Sequence, residues 1–215
     1  MSASGRRLSM LALLALLLLA GCGGGGDDTA TTSSGDCETV EDPGPVSRVA
    51  ERPKADAPTA KGAVFETNCG SFTISFDGRN PKTAASFQSL VEQGFYDGLT
   101  IHRVVSDILI QGGDPEGDGK GGPGYTVDEK PPPALAYTAG TVAMAKTGSE
   151  PPGRSGSQFF IAVAADLGLT PDYALVGEVS DGIDVVRAIS ELAPDGEDGP
   201  PETPVVIERA TLVED

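Results

Sequence analysis

The chain has 215 residues, with 32 acidic against 15 basic side chains and a formal charge of −17. That balance excludes nucleic acid as an expected partner, since such binding rests on neutralising phosphates with Lys and Arg, and it disfavours electrostatic attachment to an anionic membrane. One His and three Cys, scattered along the chain, make no metal-ligand cluster, so neither metal nor cofactor is expected.

The N-terminus reads as a targeting segment. Arg6 and Arg7 precede an apolar run from Met10 to Ala20 that is too short to span a bilayer. The run closes on Leu19-Ala20-Gly21-Cys22, which looks like a bacterial lipobox, with small residues before a cysteine that becomes acylated. Residues 1–21 are therefore expected to be a lipoprotein signal peptide, and Cys22 the lipidated residue. More than one acyl chain at Cys22 would suffice for stable attachment to the outer face of the cell membrane. An ordinary secretory signal is the other reading.

Residues 22–58 are rich in Gly, Thr, Ser, Asp, Pro and Ala, with almost no periodic apolar pattern, and are expected to be a flexible tether. Residues 59–215 are long enough for one globular core. Export would place Cys37 and Cys69 in an oxidising compartment, where an even pair reads as a disulfide; two unpaired thiols are the alternative.

Within the domain, strands are expected at 62–66 and 71–76, joined by the hairpin signal Thr67-Asn68-Cys69-Gly70. Phe72, Ile74 and Phe76 alternate with polar residues, as a half-buried strand requires. Asn80-Pro81 opens a helix, with Asn80 as N-cap and Pro81 at the first helical position. Ala84, Phe87, Leu90 and Val91 share one face of it, and Gly94 marks its end. Further strands are expected at 100–105, 109–112, 141–145, 158–163, 174–179 and 205–213. A second helix fits 183–192, with Ile183, Val186 and Ile189 at helical spacing. Many short strands with two helices suggest a helix-capped β-barrel.

Ordered blocks go further. Phe95-Tyr96-Asp97-Gly98-Leu99-Thr100-Ile101-His102-Arg103-Val104-Val105 leads into Ile110-Gln111-Gly112-Gly113-Asp114-Pro115. Gly140–Ala145, Gly156-Ser157-Gln158-Phe159-Phe160-Ile161 and Tyr173–Val179 follow. In this order and spacing they closely resemble the cyclophilin family over essentially all of residues 60–215. The resemblance implies a closed eight-stranded antiparallel β-barrel capped by two α-helices, and a surface groove that binds Xaa-Pro. It implies that Arg103 is the catalytic arginine, Gln111 a carbonyl-anchoring glutamine and Phe160 a proline-pocket phenylalanine. Ala145 and Leu169 fall at groove positions, and Tyr173 stands where many relatives carry His. The pocket departs from the family pattern: Ile108 and Leu109 replace a Phe-Met pair, Ser106-Asp107 replaces Pro-Gly, and Gly168 stands where some relatives carry Trp.

These residue types suit rotation about an Xaa-Pro bond. The barrier of ~18–20 kcal/mol comes from amide resonance, and no covalent bond is made or broken. A donor aimed at the prolyl nitrogen uncouples it from the carbonyl, and Arg, always charged, offers a rigid fork of donors. With a single His and no G-x-S-x-G turn, a serine hydrolase is not expected. The glycines of 117–122 open no helix and precede Pro123, so they form no nucleotide loop. Proline-containing polypeptides are the expected partners, and a monomer the expected state. The first reading is an isomerase acting on exported or membrane-proximal proteins and assisting their folding. A lipid-tethered proline-peptide binding module or chaperone with little turnover is kept open by Ile108 and Leu109. A purely structural envelope protein is the third reading.

Overall fold

The computed structural model describes residues 37–214; the signal segment, Cys22 and the first part of the tether lie outside them. The chain enters a hairpin of β1 (Gly62–Thr67) and β2 (Gly70–Phe76), then α1 (Pro81–Glu92). Next come β3 (Ile101–Val105), β4 (Leu109–Gly112), the short β5 (Val127–Asp128), β6 (Thr141–Met144), the short β7 (Arg154–Ser155) and β8 (Phe159–Ala162). β9 (Leu175–Asp181) leads into α2 (Ile183–Ser190). A 3₁₀ turn at Pro194–Gly196, β10 (Asp198–Gly199) and β11 (Ile207–Val213) complete the chain.

The described residues form one curled antiparallel sheet of nine strands, ordered β10-β3-β4-β8-β6-β9-β2-β1-β11, with β5 and β7 paired separately. Eight of the nine correspond to the expected strands. The ninth, β10, is a two-residue addition to β3 with no apolar alternation to announce it. The starts of β3 and β11 meet through a Thr100–Val206 bridge. There Ile101 N donates to Val205 O (2.9 Å) and Ile207 N to Leu99 O (2.8 Å).

Alternation decides what the sheet encloses. Phe65, Phe72, Ile74, Ile101, Val104, Ile110, Val142, Met144, Phe159 and Ile161 are buried in one cluster with Phe87 and Leu90 of α1 and Val186 and Ile189 of α2. Its centre is aromatic: Phe65 stacks on Phe72 at 5.4 Å, and Tyr96 meets Phe159 edge-on at 5.6 Å. Close backbone approach adds a further constraint, since a Cβ at Gly177 would collide with the Ser75 carbonyl oxygen.

Helix α1 ends as expected. Gly94 takes a left-handed φ of 62°, Gly94 N donates to Val91 O (3.0 Å) and Phe95 N to Leu90 O (2.9 Å). Its start also falls where expected, with Asn80 at the N-cap and Pro81 first in the helix, but the capping bond comes from elsewhere. Asn80 itself makes no side-chain cap. Its amide instead ties two remote segments together, donating to Lys130 O (3.0 Å) and accepting from Leu175 N (3.2 Å). The cap comes from Glu129, whose carboxylate accepts from Thr83 N (2.8 Å), Thr83 Oγ1 (2.9 Å) and Lys82 N (3.3 Å). A carboxylate there also complements the positive end of the helix dipole.

The expected tether also needs correction over residues 37–58. They carry no regular secondary structure, yet they are bonded along the domain as a strap. Cys37 is disulfide-linked to Cys69 in the β1–β2 turn. Val46 N donates to Pro115 O (2.7 Å) and Ala50 N to Pro123 O (2.9 Å). Arg48 Nη1 reaches the carbonyls of Phe95 and Asp97, both at 2.7 Å. Low periodicity hid this segment because backbone hydrogen bonds leave no apolar pattern. The disulfide closes a loop with a sequence separation of 32. Replacing Cys37 with Ser and Cys69 with Ala is expected to lower unfolding stability by about 3 kcal/mol, read from denaturant midpoints against the oxidised parent. Equal midpoints would mean the strap is held by its hydrogen bonds alone.

Candidate active site

The site lies on the outside of the sheet, and a one-residue irregularity puts it there. Ile101 pairs with Gly112 while Arg103 pairs with Gln111, so β3 carries an extra residue at His102. Strict alternation would send Ile101 and Arg103 to the same side. With the bulge, Ile101 and Val104 both enter the core while Arg103 is delivered to the outer surface, where it is 38% exposed.

Register then builds a row. Arg103 stands opposite Gln111, Gln111 opposite Phe160, and Phe160 opposite Ala143, across β3, β4, β8 and β6. Three of the expected site residues are thus brought side by side by backbone pairing. Arg103 Nη1 donates to Gln111 Oε1 (3.0 Å), Gln111 Nε2 to Gln158 Oε1 (3.0 Å), and Gln158 Nε2 to Gly121 O (2.9 Å). On its other side Arg103 meets Asp198 of β10. The hydrogen bonds from Arg103 hold the Asp198 carboxyl below its ordinary value, and Asp198 in turn raises Arg103. Both groups are therefore charged throughout the neutral range.

Phe160 is 4% exposed and heads a second apolar cluster, outside the main core, with Tyr137 and Ala143. Leu135, Ala145, Leu167 and Tyr173 pack on it. Phe160 and Tyr173 meet edge-on at 5.4 Å, and Tyr137 lies 5.8 Å from each ring. Tyr137 fixes Tyr173: its hydroxyl donates to Tyr173 O (2.7 Å) and accepts from Tyr173 N (2.9 Å). Burial pushes the Tyr137 hydroxyl up to about 12, so it stays neutral and can donate. Lys146 Nζ sits 5.3 Å from the centre of the Tyr173 ring.

Leu109 continues the Gln111 side of β4, opposite Ala162, and is 9% exposed. Ile108 occupies the 106–108 turn at 43% exposed, anchored by its carbonyl, which accepts from Val163 N (2.7 Å) and Ala164 N (3.1 Å). Asp107 in that turn takes a left-handed φ of 56°, a conformation that favours glycine. Leu169 is 37% exposed; Leu167, two residues earlier, is the one packed on the Phe160 cluster. Ala145 lines an open groove of about 790 Å³ with Gln111, Gln158, Tyr125, Lys146 and the glycine-rich loop.

A smaller cavity of about 220 Å³ is lined by His102, Asp114, Pro115 and the strap residues Asp42 and Pro45, apart from the row. Burial holds His102 below its ordinary value, so it is neutral at neutral pH, in line with a packing role. Sequence reasoning missed Asp198, Tyr137 and a role for Gln158. The first two stand outside the motif blocks, while Gln158 lies inside one and could have been taken from it.

The arrangement offers an oriented cation beside an apolar cluster. It is suited to holding a peptide and polarising it. The family model described as cyclophilin type peptidyl-prolyl cis-trans isomerase matches residues 63–212. A peptidyl-prolyl cis-trans isomerase-like 1 protein from Neurospora crassa is 37% identical over 159 residues, covering 72% of this chain and 95% of the relative. The peptidyl-prolyl cis-trans isomerase A of Mycobacterium tuberculosis is 40% identical over 169 residues, covering 70% and 91%. A Cryptosporidium parvum cyclophilin type isomerase, solved in the presence of the dipeptide Ala-Pro, superposes with a TM-score of 0.64 at 29% identity. That comparison covers 72% of this chain and 99% of the other. On this sequence and structural evidence, the chain belongs to the cyclophilin-type peptidyl-prolyl cis-trans isomerases.

Proposed function

We propose that this isomerase is exported and lipid-anchored through Cys22, and that it turns Xaa-Pro bonds of polypeptides near the outer face of the cell membrane, helping them fold. The observation that carries the catalytic reading is the row Arg103–Gln111–Phe160 on adjacent strands. The prolyl ring would rest against Phe160, walled by Tyr173, Leu109 and Ile108, with Ala145 and Leu169 along the groove. The Ala-Pro dipeptide of the Cryptosporidium parvum structure supports a proline-containing ligand for this one.

Arg103 keeps its charge and has N–H groups left over after its bonds to Asp198 and Gln111. Donation from it to the prolyl nitrogen favours a pyramidal nitrogen and weakens amide resonance, which is where the barrier lies. Gln111 uses its oxygen on Arg103 and one N–H on Gln158, which leaves one N–H for the substrate carbonyl. The transition state is then favoured by oriented charge and positioning alone. Uncatalysed isomerisation takes on the order of tens to hundreds of seconds, so exported chains gain from a catalyst at the membrane. The exposure of Ile108 favours a looser hold on the ring than a phenylalanine would give, which keeps a low-turnover binding role as the second reading.

Three experiments test this. In NMR exchange measurements on an Xaa-Pro peptide, Arg103→Ala in the chain from Cys22 onward is expected to slow catalysed exchange on the order of 100-fold. A wild type that binds the peptide without exchanging it would leave only the binding role. Ile108→Phe is expected to tighten peptide binding about fivefold through added apolar contact; an unchanged Kd would mean position 108 does not reach the ring. Cys22→Ala is expected to move the exported protein from the membrane to the soluble fraction, and continued membrane fractionation would end the anchor proposal.

A further inference from the structure

A long cationic side chain on an open surface is a poor catalyst unless something orders it. Free arginine side chains hold much rotamer entropy, which a substrate would have to remove on binding. In this chain the ordering comes from both sides of β3. Gln111 holds Nη1 from β4 (3.0 Å), and Asp198 approaches from β10, whose backbone pairs Asp198 with Val105 and Gly199 with Val104. Both carboxylate oxygens are engaged: Arg103 Nε donates to Oδ1 and Nη2 to Oδ2, each at 2.7 Å. The contact is a fork-to-fork pair, which fixes the plane of the guanidinium as well as its position. Three of its five N–H groups are thereby used, leaving one on Nη1 and one on Nη2.

We propose that Asp198 is a positioning residue for the isomerisation, holding the Arg103 guanidinium in one plane so that its two remaining N–H groups are ordered before the peptide arrives. The inference rests on Arg103 being the donor in the reaction. As a stabilising ion pair the contact is worth little, because both partners are substantially exposed (38% and 54%) and solvent screens them. Its two short, parallel bonds therefore bear on geometry more than on stability. The carboxylate offsets part of the arginine's field at the peptide, but the guanidinium stays protonated and its donors remain. Orientation decides the sign, because misdirecting a catalytic group costs more than weakening it modestly.

The test is a double-mutant cycle in the chain from Cys22 onward: wild type, Asp198→Ala, Asp198→Asn, Arg103→Ala and the Arg103→Ala/Asp198→Ala pair. Peptide exchange gives kcat and binding separately, and thermal unfolding reports integrity. Asp198→Ala is expected to lower kcat about tenfold, with Kd within about twofold and Tm within about 2 °C. Asp198→Asn keeps one acceptor oxygen and recovers part of the loss. On the Arg103→Ala background, removing Asp198 is expected to change nothing further. Three outcomes would overturn the proposal while Arg103→Ala still shows its own loss. They are an unchanged kcat in Asp198→Ala, a raised kcat, or an equal loss from removing Asp198 whether or not Arg103 is present. An inactive wild type, or an Arg103→Ala protein as active as wild type, would instead overturn the catalytic reading of Arg103, and the positioning role with it.

Discussion

The extra residue in β3 is the constraint on which the site depends. A strand with perfect alternation would carry Ile101 and Arg103 on one side, and either the arginine would enter the aromatic core or the isoleucine would leave it. A buried unpaired charge costs several kcal/mol, so a regular strand with this sequence would not be stable. The bulge at His102 resolves the conflict by satisfying Ile101, Arg103 and Val104 at once. Once Arg103 is outside, pairing with β4, β8 and β6 places Gln111, Phe160 and Ala143 beside it. Side-chain geometry in the site is thus inherited from backbone register.

That inheritance explains the division of the apolar residues into two clusters. Inner-face residues of β4, β6 and β8, namely Ile110, Val142, Met144, Phe159 and Ile161, close the core. Their outer-face neighbours Phe160 and Ala143 collect Tyr137 and Tyr173 into a smaller cluster beside the charged row. The proposed proline pocket is this outer cluster, carried on strands whose other face closes the core. Ile108, the proposed wall, is on a turn instead of a strand, and that turn holds Asp107 at a left-handed φ of 56°.

The strap extends the fold beyond the sheet. From Cys37 it passes the β1–β2 turn, the end of α1 and the glycine-rich loop, bonding to each through the backbone or through Arg48 and Arg52. Arg52 Nη2 donates to Thr126 O at 2.7 Å and its guanidinium lies 5.3 Å from the Tyr125 ring centre. Both Tyr125 and Thr126 line the groove that continues from Gln111. The loop that borders the groove is therefore braced from behind by a segment without secondary structure of its own.

Local pattern determined a large part of this protein. Period-two alternation in Phe72-Thr73-Ile74-Ser75-Phe76, helical spacing of Ala84, Phe87, Leu90 and Val91, and the end of α1 at Gly94 are encoded within a few residues of each other, where sterics and apolar burial act directly. The ordered blocks likewise carried Arg103, Gln111 and Phe160. Tertiary structure alone decided the rest. The pairing of Arg103 with Asp198 spans 95 residues, and Glu129 caps a helix 46 residues before it at Thr83. Asn80, locally a good cap, is drawn away to Lys130 and Leu175. Single polar contacts of this kind have no period and no composition. They exist only once register brings distant backbones together, so no local reading of the chain could have supplied them.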